Sequence, residues 1–151
     1  MDEIKKQELR KNIRLNWLYS LSALADIELQ QRWLDKRITN PAWSYVEFMC
    51  RYFDDTPLSD GGYEKMIRNG FVTHEEYNCI KDFHDALDKY KEPSDYYDPV
   101  AILDDPTWQK IVALGKQSID KLAIILADPE EKKALLKKPP TLTEKDFSWP
   151  N

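Results

Sequence analysis

Cysteine, glycine and histidine are scarce in this 151-residue chain, which holds two, four and two of them. With so few glycines, a phosphate-cradling glycine loop has almost nothing to be built from. Cys50 and Cys79 both fall in apolar helical patterns, where cysteine behaves as a small hydrophobe, and are expected as buried free thiols. His74 and His84 stand ten residues apart, about 80° short of alignment on a helix, so the pair has no metal-ligand spacing. Cys79 and His84, five apart, do not share a helix face as a nucleophile and base would, and no nucleophile motif is present. No catalytic residue, metal or cofactor is therefore expected. No apolar run approaches the roughly 20 residues of a membrane span. The opening MDEIKKQELRK is charged, against a secretory leader, so the cytoplasm is the expected compartment. No apolar–polar alternation is long enough to demand a strand.

What is there reads as helix. Hydrophobic residues make up 42% of the chain and charged residues 32%, the balance of an ordinary globular domain. From Asp105 to Ala127, Trp108, Ile111, Val112, Gly115, Ile119, Leu122, Ala123 and Leu126 recur at three- and four-residue steps. Asp105 is placed as N-cap and Pro106 as first helical residue. Leu114 and Ile125 broaden the apolar face, which argues for a central helix. A first helix over 3–23 turns Leu9, Ile13, Trp17, Leu21 and Leu24 to one face, with Lys5, Lys6, Arg10, Lys11 and Arg14 on a solvated one. Asp26 caps a second helix carrying Leu29 and Trp33, and Asn40-Pro41 restarts an aromatic-rich third one reaching Phe53. A short helix with Tyr63, Met66 and Ile67 is stopped by Gly70, and Thr73 with Glu76 forms a capping box for the next. A short apolar turn over 100–103 precedes the long helix, and Asp128-Pro129 opens a last short one. The pattern predicts an all-α single domain, a bundle of six to seven helices with a long central helix near 106–127. The helical domain spans 1–137, and 138–151 form an extended tail.

Charge is unevenly distributed. Residues 54–105 carry 14 acids against 5 bases, although the whole chain is only −5. Asp105 and Asp128 are explained as caps. Asp54, Asp55, Asp60, Asp95 and Asp98 lie in two loops, which would form an acidic rim if the helices pack up and down. Tyr96 and Tyr97 sit between the last two of these acids, in a loop where Tyr is a favoured interface anchor. These seven residues are the expected partner-binding site. The surface suits a basic protein and is unsuited to nucleic acid, whose phosphates need concentrated positive charge. No membrane interaction is expected.

Leu24-x-Asp26 with Gln30-Gln31-x-Trp33, then Phe53-Asp54-Asp55-Thr56, then Asp105-Pro106-x-Trp108, together resemble a group of small uncharacterised all-helical bacterial proteins over about residues 20–125. That likeness implies the fold and no activity. In size, acidity and lack of catalytic equipment the chain is also similar to immunity proteins of bacterial toxin systems. The resulting expectation is a non-catalytic protein that occludes a basic toxin domain. An enzyme holding a divalent metal in its acidic loops, and a structural homodimer, are the competing readings.

Overall fold

The computed structural model describes residues 2–32, 45–93 and 98–136. Among them it places eight α-helices, one 3-10 turn and no strand. Six of these helices start where a side chain satisfies an orphan amide. Asp2 accepts from the Lys5 amide to open α1 (Glu3–Leu24). Asp26 accepts from Leu29 at the start of α2 (Ile27–Arg32). After α3 (Tyr45–Phe53) comes a 3-10 turn (Pro57–Ser59) and α4 (Gly62–Arg68). Helix α4 ends in a Schellman motif: Gly70, at φ +79°, donates to Ile67 O, and Phe71 donates to Met66 O. The Thr73–Glu76 capping box opens α5 (His74–Lys89), and Asp98 caps α6 (Pro99–Leu103). Asp105 caps α7 (Pro106–Ile125), and Asp128 accepts from Glu130 in α8 (Pro129–Leu136). The stretch read as an apolar turn is α6, which brings the described helices to eight.

Helix α7 is central, as its broad apolar face implies: it packs most extensively on α5 and also meets α1, α6 and α8. At Gly115 the α5 side chain comes so close that a Cβ would sit 2.6 Å from the Phe83 ring and 2.9 Å from Ala25 Cβ. Trp108 is fully buried, and its indole N–H donates to Gln30 Oε1 at 3.0 Å. The Gln30 amide nitrogen in turn donates to Ala23 O and Leu24 O, so one buried amide closes α1, places α2 and docks α7. Leu24, Asp26, Gln30, Asp105 and Trp108, all from the short motifs, thus have structural roles.

Arg14 departs from expectation. Rather than lying on a solvated face, it is 4% exposed, with its guanidinium bidentate to both Glu76 and Glu131. Nη1 also donates to Phe71 O at 2.8 Å. The arginine therefore ties α1 to α5 and α8, and its long stem reaches inward where a shorter residue on that stripe would not. Burial opposes the charge on Arg14, but the hydrogen bonds it donates to both carboxylates outweigh it and raise its pKa. Burial likewise opposes the Glu76 carboxylate, and the bonds from Arg14 and Thr73 hold it below its ordinary 4.5. Leu9, expected on the buried face of α1, is 46% exposed, and no residue from Asp2 to Asn12 is buried. Cys50 is exposed and Cys79 half-buried, both free, so the expected burial of the thiols does not hold. Trp33, Trp43, Asn40-Pro41 and the tail over 138–151 lie outside the described residues.

Two stability outcomes follow from this packing. Arg14→Met strands two buried carboxylates and is expected to cost about 3–5 kcal/mol in urea unfolding at neutral pH; an unchanged midpoint would show the triad to be dispensable. Because the folded-state pKa of Glu76 is depressed, its contribution is complete above 4.5 and disappears as pH falls through the lowered value. Gly115→Ala is expected to lose about 1–3 kcal/mol through overpacking against Phe83, despite its better helix propensity. A thermal midpoint at or above wild type would refute the close approach.

Candidate partner-binding face

Helix α3 packs on α1, and its rings meet those of α5 and Tyr90 in antiparallel order. Tyr45 at its start meets Tyr90 just past the end of α5, with ring centroids 6.0 Å apart. Tyr52 near its end meets His84, at 5.7 Å. The amides of Asp54 and Asp55 both bond back to Cys50 O, so the acidic pair closes the last turn of α3. Thr56, 2% exposed, donates its hydroxyl to Tyr52 O and accepts from the Leu58 amide, which pins the loop behind them.

Asp54 and Asp55 are exposed on this corner. Asn16 of α1 donates to Asp55 O at 3.3 Å, and Tyr19, one turn further along α1, is 53% exposed. On the other side Phe53 packs on His84, and Asp85 and Asp88 follow on the same helix. The result is a strip from Tyr19 through Asp55, Asp54 and Phe53 to His84, Asp85 and Asp88. It combines four carboxylates with half-exposed rings, the composition of an interface that takes positive charge and apolar stems together. Tyr19 is an exposed ring that sequence reasoning missed. Its only signal was its position off the Trp17 and Leu21 face.

Beneath the strip is a buried polar chain. Trp17 Nε1 donates to Tyr63 Oη at 2.8 Å, the Tyr63 and Tyr52 hydroxyls are 2.6 Å apart, and Tyr52 Oη lies 2.8 Å from His84 Nδ1. Burial raises the pKa of both tyrosines, so they remain neutral donors. His84 is half-buried, with Tyr52, Phe53 and Tyr63 around it, while its chain neighbour Phe83 faces the core.

The other expected site residues are placed differently. Asp60 is exposed and paired with Lys65 at 2.8 Å, which offsets its charge locally. Asp98 is spent on capping α6 through the amides of Val100 and Ala101. It is tied to the far end of α5, because Asp105, just beyond α6, accepts from Tyr90 Oη. Asp98 thus stands with the Tyr90 end of α5, whereas Asp54 and Asp55 close the end of α3 that meets His84. Asp95, Tyr96 and Tyr97 lie outside the described residues.

Burial raises the Cys50 thiol, helped by the neighbouring Asp54, and burial also raises Cys79, which disfavours the thiolate at both. Among the described residues no group of three or more His, Cys, Asp or Glu is placed to hold a metal ion. Nor is any described helix long and apolar enough to cross a membrane. No known family, curated protein or solved structure matches the chain.

Tyr63→Phe removes the only acceptor shown for the buried Trp17 N–H and is expected to cost about 1–3 kcal/mol. Equilibrium unfolding at neutral pH measures it, and a loss near zero would mean that the chain carries no structural weight.

Proposed function

We propose that this protein is a non-catalytic binding protein that masks a basic domain of a protein partner, in the manner of an immunity protein of a bacterial toxin system. The observation that carries the reading is the strip of Asp54, Asp55, Asp85 and Asp88 around Phe53 and His84, with exposed Tyr19 at its edge. The carboxylates speed encounter with a cationic surface, and the rings supply the contact area that holds it. The mechanism is occlusion: a partner whose basic groups are engaged here cannot present them to its own substrate. Asp54 and Asp55 remain the central acids of the earlier expectation. Tyr19 joins them, while Asp60 and Asp98 have local roles within the fold.

The test is capture of partners from source-cell extract on immobilised wild type and on D54K/D55K, with washes of rising salt. Wild type is expected to retain a basic protein that salt releases, and the charge-reversed bait to lose it. Equal retention by both baits would remove these acids from the interface and overturn the reading.

A further inference from the structure

We propose that Trp17, Tyr63, Tyr52 and His84 form a one-way hydrogen-bond relay that holds His84 neutral with its proton on Nε2, so that the acidic face takes a cationic partner more tightly while His84 is unprotonated. The inference rests on the binding role given above and adds its regulation.

The direction of the relay follows from its donors. An indole nitrogen can only donate, so Tyr63 Oη accepts from Trp17. The Tyr63 proton then has Tyr52 Oη, 2.6 Å away, as its acceptor. That leaves the Tyr52 proton to His84 Nδ1 at 2.8 Å, and Nδ1 can accept only if the imidazole carries its proton on Nε2. In this arrangement three donors meet three acceptors. Reversing it would give Tyr63 Oη two incoming donors and leave its own proton without a shown acceptor, in a residue 6% exposed.

Protonation of His84 forces that reversal, since an imidazolium nitrogen donates at both positions. The groups around the ring are Tyr52 and Phe53 from α3, Tyr63 from α4, and Lys81, Asp85 and Asp88 on α5 itself. Burial lowers the His84 pKa below its ordinary 6.5, against the pull of Asp85 and Asp88 in the other direction. For a basic group depressed in this way, the unfolded chain takes up its proton first as pH falls. The stability contribution is complete above 6.5 and lost as pH falls through the folded-state value. The same proton adds a positive charge to the face that must accept a cation.

The experiment pairs a ¹⁵N NMR titration of the imidazoles with decalysine binding at low salt. Wild-type His84 is expected as the Nε2–H tautomer, titrating below 6.5, with Tyr52→Phe mixing the tautomers and raising the midpoint. Exposed His74 on the same helix should not respond to that substitution. An Nδ1–H tautomer in wild type, which needs no variant to observe, overturns the relay. Decalysine affinity should fall about two- to fivefold between about pH 7.5 and a pH below the His84 midpoint found in the titration, the effect of one surface charge, and His84→Gln should abolish the change. The expected tautomer with an affinity equally pH-dependent in H84Q overturns the coupling alone. Absence of decalysine binding at the higher pH counts against the binding role and the coupling together, even where the tautomer is as expected.

Discussion

One guanidinium holds three helices of this bundle in register. Arg14 is the sole cation between two buried carboxylates, with Nε and Nη2 on Glu131 and both terminal nitrogens on Glu76. A buried charge is tolerated only when its partners satisfy its hydrogen-bonding geometry, so the triad admits one relative placement of α1, α5 and α8. Apolar contacts between these helices are less discriminating, because ridges of Leu and Ile can slide by a turn at modest cost. Arg14 also donates to Phe71 O, immediately after the α4 stop, so the α4–α5 connection is fixed by the same group. From this follows the position of His84, ten residues into α5, and hence the end of the polar chain under the acidic strip.

The triad and the relay solve the same problem in different ways. In the first, charge is buried and matched, with Glu76 also accepting from the Thr73 amide in its own capping box. In the second, every member is neutral and the chain ends at a half-exposed titratable ring. Burial of an ion pair makes the core sensitive only to strong acid, whereas a neutral chain ending at a depressed imidazole responds to acid below 6.5. The strip above the relay therefore sits on the part of the molecule whose hydrogen bonds end at a titratable ring.

Local features were the legible ones. Caps at Asp26, Thr73, Asp105 and Asp128, the stop at Gly70 and the apolar face of α7 depend on neighbours within a turn or two, and sequence displays those directly. The all-α class follows from them. Arg14 was misread because periodicity assigns a face and says nothing of reach: an arginine at the edge of a stripe can bury its stem and head when two carboxylates wait there. Cys50 was misread for the opposite reason, since an apolar pattern on α3 turns to solvent once the helix has neighbours on only part of its circumference. Of the candidate site, the Asp54–Asp55 corner was legible because its acids had no complete explanation as caps. Asp98 looked equivalent, and its capping of α6 became visible only when the apolar turn proved to be a helix. Tyr19 had as its signal only a position off the Trp17 and Leu21 face, which does not tell an exposed ring from one covered by a neighbouring helix.

The chemistry of the strip also explains why the binding reading suits it better than catalysis does. A general base needs an unprotonated nitrogen facing its substrate, but the relay occupies Nδ1 from within and leaves Nε2 carrying the proton. His84 then offers a donor at a surface otherwise built from carboxylate acceptors. On the proposed binding role, the partner that suits such a surface brings cationic groups to the acids and at least one acceptor, such as a backbone carbonyl, to the imidazole. Tyr19 and Phe53 flank these polar groups with apolar area, so that a docked lysine or arginine can lay its stem on a ring while its head reaches Asp54 or Asp85. Specificity in that arrangement comes from the spacing of donor and acceptors along one strip, which α1, α3 and α5 hold rigid from below.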